Sequence, residues 1–195
     1  MAKAERPIYL NLGSGPRGLA STHWINVDGY QDTNVDYLMD FGRRWPFPDC
    51  SLDGIFCEHV FEHFDMHHGL AILQESFRVL QPGRCLRIIV PDGEKILKCY
   101  SDHPSELLAH RTSETPCAME AVNSYFRQRY EHQWIYDEEL LEHQLIQAGF
   151  VQVARSSFGQ GTVSKPVVLD DERYEWESLY IEAIKPNSAG KPVDD

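Results

Sequence analysis

Apolar residues fall into short runs rather than long stripes. Ile8-Tyr9-Leu10-Asn11-Leu12, Trp24-Ile25-Asn26-Val27, Val35-Asp36-Tyr37-Leu38-Met39, Gly54-Ile55-Phe56-Cys57 and Leu86-Arg87-Ile88-Ile89-Val90 are four or five residues each. Turn or acidic residues close most of them: Gly13-Ser14-Gly15-Pro16, Asp28-Gly29, Asp40 and Pro91-Asp92-Gly93. Runs of this length with such stops predict strands covered on both faces. Between the fourth and fifth runs, Leu70, Leu73, Phe77 and Leu80 recur at helical spacing, and Gln81-Pro82-Gly83 follows. This predicts a helix over Gly69 to Leu80 and a right-handed strand-helix-strand crossover. From Glu94 to Gly149 the pattern is helical and irregular. Within it Asp137 is placed to cap a helix through Leu140, Leu141, Leu145 and Ile146, closed by Gly149. Val151-Gln152-Val153 and Leu179 to Ile184 read as two late strands, joined by a polar connection from Gly159 to Tyr174. Residues 186–195, rich in Pro, Gly, Ser and Asp, read as a frayed tail after one domain over 1–185.

Alternation of strand and helix predicts an α/β fold: a doubly wound, mostly parallel, Rossmann-like sheet with helices on both faces. Ligands of such sheets lie beyond the carboxyl ends of the strands, at the topological switch point. The candidate chemistry falls at those ends. Gly13-x-Gly15-x-x-Gly18 formally matches a dinucleotide fingerprint, a weak signal alone. Asp28 ends the second strand, where a carboxylate accepts from both hydroxyls of a ribose. It lies closer to the glycines than the spacing of about 20 residues usual for nicotinamide cofactors. Pro16 sits where a pyrophosphate-binding helix should donate N–H groups. A cofactor without phosphates suits this turn better.

Composition narrows the class. The 195 residues carry 30 acidic and 18 basic side chains, a net charge of −12, with no basic stripe. That argues against nucleic acid and anionic membrane as partners. No apolar run approaches the roughly 20 residues of a membrane span, and residues 1–7 lack the apolar core of a secretory signal. The five cysteines are odd in number and form no C-x-x-C. Reduced thiols in the cytoplasm are therefore expected rather than a disulfide scaffold.

Taken together, several segments resemble one family. Leu10-Asn11-Leu12-Gly13-Ser14-Gly15 resembles motif I of class I S-adenosylmethionine-dependent methyltransferases. Met39-Asp40 with Pro46 to Ile55 resembles the stretch before the fourth strand of those enzymes, and His59-Val60-Phe61-Glu62-His63-Phe64 the segment after it. Leu73 to Asp92, with Arg78-Val79-Leu80-Gln81-Pro82-Gly83, resembles their helix and fifth strand. His132-x-Trp134-x-Tyr136-Asp137 through Ala148-Gly149-Phe150 resembles a small bacterial, type-11-like subgroup. The resemblance implies a seven-stranded sheet with an antiparallel last strand and S-adenosylmethionine as cofactor. Asn11, Leu12, Gly13, Ser14 and Gly15 would then hold the cofactor, with Gly13, Ser14 and Gly15 approaching its methionine part. Asp28 would hold the ribose, Asp40 the adenine amino group with Phe41 beside the ring, and Glu58 and His59 would line the methionine and methyl side. The family often has an acid where this chain has Asn11. The acceptor is expected to be a small or saccharide-like molecule, met by the segment 94–136 acting as a lid. A partner-binding module without catalysis and a nicotinamide-dependent oxidoreductase are the alternatives.

Nine histidines are many for this length, and His59, His63, His67 and His68 cluster. His59-x-x-Glu62-His63 matches an inverted zinc-protease motif, which needs a helix presenting both imidazoles on one face and a third ligand elsewhere. The segment directly follows a buried strand in methyltransferase-like order, so no metal is expected. His59, His63 and His132 are instead the candidate bases, because imidazole titrates near neutrality and could take a proton from a hydroxyl or amine acceptor.

Overall fold

The computed structural model describes residues 7–32, 34–111, 115–161 and 167–187. Residues 188–195 of the expected tail lie outside the described residues. The strands are β1 (Tyr9–Leu12), β2 (Trp24–Asp28), β3 (Tyr37–Leu38), β4 (Leu52–Glu58), β5 (Leu80–Pro91), β6 (Val151–Arg155) and β7 (Ser178–Ile184). They form one sheet in the order β3-β2-β1-β4-β5-β7-β6. β1 to β5 pair in parallel, and β7 runs antiparallel to both β5 and β6. The doubly wound sheet and its antiparallel last strand thus match the expectation from sequence. Chain order reverses between β1 and β4, the switch point. Register is set there by Leu12, which lies opposite Val27 of β2 and Cys57 of β4. Gly13, Asp28 and Glu58 therefore leave the sheet at one level.

β3 is shorter than the run Val35 to Met39 suggests. Asp36 turns its carboxylate onto Asn26, accepting from the backbone N at 2.7 Å and Nδ2 at 3.1 Å, so it caps the strand instead of extending it. The helix α1 (Met66–Val79) starts earlier than its apolar spacing implies, because Asp65 accepts from the N–H groups of His67 and His68. β5 begins at once after it, at Leu80, so Gln81-Pro82-Gly83 belongs to strand rather than to a stop. Asp137 caps α5 (Glu138–Gln147) through the Leu140 N–H, and Gly149 follows at φ +102°, both as expected.

Side chains alternate across the strands. Leu10, Leu12, Val27, Ile55, Leu86 and Ile88 meet α1 and α5 in the main core through Leu73, Leu141 and Leu145. The opposite face near β1 and β2 is covered by other means. Only eleven residues (13–23) join β1 to β2, about the minimum for a helical crossover, and Pro16 lies among them. The link forms a short 3-10 turn, Gly15–Arg17. Among the described residues, Phe158, Val167 and Leu169 cover this face instead, against Phe56, Ile89, Tyr180, Cys85 and Ile184.

A buried charge cluster fastens that cover. Arg87 and Glu182 lie opposite in the β5–β7 register, and Nη1 reaches Oε1 at 3.1 Å. The guanidinium also meets Asp170, Nε to Oδ1 at 2.8 Å, and donates to the carbonyls of Gln160 and Ser157. All three charged side chains are essentially inaccessible. A charge so buried is tolerable only when paired and fully hydrogen-bonded. Three further helices, α2 (Gly93–Asp102), α3 (Pro104–Ala109) and α4 (Ala118–Arg127), build a second small core from Ile96, Leu107, Ala121, Val122 and Tyr125. They make up most of the segment 94–136.

Candidate active site

The turn after β1 is shaped for close approach. Gly13 has φ +73°, and a Cβ there would stand 2.1 Å from Val60 Cγ2. Only glycine satisfies both conditions. The N–H groups of Gly13 and Ser14 both bond to the carbonyl of Val27, tying the turn to β2. Asp28 then grips the turn from the neighbouring strand: Oδ2 accepts from Gly15 N at 2.8 Å and Oδ1 from Tyr30 N at 3.0 Å. Each oxygen keeps a lone pair for a further donor.

Two cavities open on either side of Gly13. The larger, about 1030 Å³, is lined by Gly13, Asp28, Asp40, Phe41, His59 and His63, with Tyr130, Glu131 and Gln133 on its far wall. The smaller, about 390 Å³, is lined by Asn11, Gly13, Ser14, Glu58 and the acidic stretch Asp170-Asp171-Glu172. Ser14 Oγ, which is buried, has no partner within the protein. Asn11 donates from Nδ2 to Asn26 Oδ1 at 3.2 Å. Glu58 Oε1 accepts from the Asp171 N–H at 2.8 Å, which closes the loop over β4 onto the site. Asp40 sits at the mouth of the larger cavity, accepting from Gly42 N at 3.0 Å and pairing with Arg43 Nε at 2.9 Å.

The structure therefore brings Asn11, Gly13, Ser14, Asp28, Asp40, Phe41, Glu58 and His59 to the two cavities. Leu12 and Gly15 line neither. Leu12 points into the main core by strand alternation, and Gly15 acts on Asp28 instead. Phe41 borders the cavity, but its side chain is buried, with its ring centroid 6.0 Å from that of Phe64. It is a floor residue rather than a free stacking platform.

The histidines divide sharply. His59 takes a left-handed φ of +51° and stacks on Tyr174 with centroids 4.1 Å apart. Its Nε2 lies 2.8 Å from Ser178 Oγ, whose own hydrogen goes to the Tyr174 carbonyl, so Nε2 must donate. Its Nδ1 lies 3.2 Å from Glu62 Oε1. Burial pushes the His59 imidazolium down, but Glu62, with Glu177 and Glu58 behind it, outweighs burial and holds the pKa above its ordinary value. With both nitrogens committed and the charged form favoured, His59 positions its neighbours and is a poor base. Glu62 is wholly buried. Burial raises its pKa, but pairing with His59 and the proximity of His132 and His63 outweigh this and hold it below the usual value. Burial holds His132 below its ordinary value.

Sequence reasoning missed the burial of Glu62 and the cluster of Arg87, Asp170 and Glu182. The latter had a signal, since Leu86-Arg87-Ile88 and Ile181-Glu182-Ala183 each set a charge in an otherwise apolar strand. The inverted zinc-protease reading fails in its geometry. His59 and His63 do not share an α-helix, because only a 3-10 turn, Phe61–His63, follows His59.

A family model described as "Methyltransferase domain" matches residues 20–88, roughly a third of the chain. No curated protein sequence matches. Among solved structures, an S-adenosylmethionine-dependent methyltransferase from Archaeoglobus fulgidus aligns with a TM-score of 0.57 at 17% identity, covering 92% of this chain and 86% of that one. The 1,6-didemethyltoxoflavin-N1-methyltransferase of Burkholderia thailandensis, solved with its substrate and S-adenosylhomocysteine, aligns with a TM-score of 0.55 at 14% identity, covering 93% and 72%. A phosphoethanolamine N-methyltransferase from Haemonchus contortus aligns with a TM-score of 0.55 at 15% identity, covering 93% of this chain and 49% of that one. At these identities the likeness is one of fold. Strand order and glycine turn are thus similar to those of class I S-adenosylmethionine-dependent methyltransferases, and the family-model match covers residues 20–88 of the same sheet.

Proposed function

We propose that this chain transfers the methyl group of S-adenosylmethionine to a small or saccharide-like acceptor. One observation carries the reading: Gly13, Asp28 and Asp40, on three different connections, line a single cavity. The residues present fit the cofactor. Asp28 has lone pairs for a ribose diol, and Asp40 is exposed at the mouth for an adenine amino group. Gly13 leaves room for backbone contact where any side chain would clash. On the other side, the unpartnered Ser14 Oγ suits a cofactor carboxylate. The wall of Glu58 and residues 170–172 offsets the missing acid at Asn11 as a negative environment for an ammonium group. A nicotinamide dinucleotide fits poorly, because the 3-10 turn Gly15–Arg17 offers no α-helix N-terminus to a pyrophosphate.

The bound sulfonium would supply an already activated methyl group. The chain's own task is then alignment and exclusion of water, an effect worth several kcal/mol when the acceptor is held in line. His63, Tyr130, Glu131 and Gln133 line the same cavity and are the residues the acceptor would meet. Isothermal titration with S-adenosylhomocysteine tests the reading. Micromolar binding that weakens in Asp28→Ala supports it, and no binding by folded protein rejects it.

A further inference from the structure

Glu62, His63 and His132 each point one ligand-type atom at a common place, and those atoms lie within 4.8 Å of one another. The arrangement is built over long range. The Glu62 carbonyl accepts from the N–H groups of both Gln133 and Trp134, at 2.8 and 3.1 Å, which lays the segment after α4 against the turn after β4. His132 is thereby buried beside Glu62, 4% exposed against 0%. His63 completes the group edge-on to His132, with ring centroids 4.8 Å apart.

His59 Nδ1 meets Glu62 Oε1 at 3.2 Å, but Glu62 Oε2 and His132 Nε2 have no partner. His132 Nδ1 lies 2.9 Å from the carbonyl oxygen of Tyr125, which can only accept, so Nδ1 carries the proton. In the neutral imidazole, Nε2 then bears a lone pair. That lone pair stands 3.8 Å from Glu62 Oε1. His132 Nε2 completes no hydrogen bond, nor does Glu62 Oε2. A buried imidazole lone pair and a carboxylate oxygen that both lack a donor are costly, and a cation bound by both removes the cost. A histidine whose other nitrogen donates to a backbone carbonyl is also the usual arrangement behind a metal-bound imidazole.

We propose that Glu62, His63 and His132 bind a divalent transition-metal ion, Zn²⁺ by donor set, on the acceptor side of the larger cavity. Two imidazoles and one carboxylate form a three-ligand site with a coordination position left open. Since His63 lines the cavity, that position faces the space assigned to the acceptor and would take an acceptor oxygen. Small side-chain movements would bring the three atoms from their present spacing to coordination distance. Only the role of the ion in orienting an acceptor rests on the methyl-transfer reading; binding of the ion does not.

The test uses the full chain, stripped with chelator and titrated with Zn²⁺ by calorimetry and with Co²⁺ by visible absorption. One equivalent of Zn²⁺ should bind, and Co²⁺ should give the d–d bands of a four- or five-coordinate site. Affinity should fall at least tenfold in His63→Ala and in Glu62→Gln, and stay unchanged in His67→Ala, an exposed histidine on α1. His63 is half-buried, so its variant keeps the test open if Glu62→Gln fails to fold. Absence of binding to folded protein, affinity unaffected by His63→Ala, or affinity lost in His67→Ala overturns the proposal. S-adenosylhomocysteine titrated into His63→Ala separates the two readings. Retained cofactor binding with lost Zn²⁺ supports the ion site, whereas cofactor binding without any Zn²⁺ binding to the unsubstituted chain ends the ion site alone.

Discussion

The two walls of the larger cavity are built on opposite principles. The wall under Gly13 consists of backbone and of carboxylates at the ends of neighbouring strands. It is polar, partly exposed and held by local bonds such as Gly15 N to Asp28 at 2.8 Å. The facing side carries His59 and His63 on the cavity and, behind them, titratable side chains sunk out of water, Glu62 and His132, brought together from positions 70 residues apart. The first kind of site binds by offering unused lone pairs at the surface of a sheet. The second pairs a buried carboxylate with His59 through one oxygen and leaves the other, with His132 Nε2, unpartnered. The contrast teaches that a common fold lends its cradle from topology, while its chemistry is assembled separately by whatever chain closes over it.

The largest expected effect lies beneath the cradle. Arg87→Met removes the buried guanidinium that pairs with Asp170 and Glu182, which should cost about 3–5 kcal/mol of stability by chemical denaturation. It should also loosen the loop carrying Asp170-Asp171-Glu172 and so the smaller cavity. A loss below about 1 kcal/mol would show that the loop is held by apolar packing instead.

Next comes Asp28→Ala, which removes both the acceptor for a ribose and the clasp on Gly15. Charge-assisted hydrogen bonds predict a loss of about 2–3 kcal/mol, roughly 30- to 150-fold in S-adenosylhomocysteine affinity by calorimetry. An equal loss in His63→Ala would blur the distinction between the two walls.

The contrast also explains what the sequence allowed one to see. Strand ends were legible because a parallel sheet obliges them to emerge together. Once Leu12, Val27 and Cys57 are read as closing apolar runs, the meeting of Gly13, Asp28 and Glu58 follows. Short loops were legible as loops, but not what they replaced. With Pro16 after β1 no helix forms there, and the polar connection before β7 supplies the cover instead. The pairing of Glu62 with His132 had no local signal. It depends on two backbone bonds from Gln133 and Trp134 that no periodicity reports. His63 and His132 looked like alternative bases for the same reason: their sharing of one carboxylate is a fact of tertiary structure.

A third prediction probes the charged wall by pH, in chelator. The folded pKa of His59 is raised above its ordinary 6.5. The stabilisation from its pairing is therefore fully present below 6.5 and lost as pH rises through the folded value. Glu62, held below 4.5, contributes above that pH and loses its contribution as pH falls. The difference in Tm between the unsubstituted chain and His59→Gln should peak at about pH 6 and shrink on the alkaline side. A gap that widens with rising pH contradicts the charged pair.

The smallest effect concerns the hinge of the facing wall. Gln128, Arg129 and Tyr130 have φ of +36°, +57° and +75° in succession after α4. Non-glycine residues pay about 1 kcal/mol or more for that conformation. Arg129→Gly should therefore raise stability by up to about 1 kcal/mol in thermal unfolding. Destabilisation would mean that the arginine side chain matters more than its backbone.

The central claim is that one cofactor lies across Gly13, with its nucleoside toward Asp28 and Asp40 and its amino acid toward Ser14 and Glu58. Crystals grown with S-adenosylhomocysteine test it most directly. Density bridging both cavities, with the ribose hydroxyls on Asp28 and the sulfur turned toward His63, is the expected result. Density elsewhere on the molecule, or a ribose out of reach of Asp28, would contradict it.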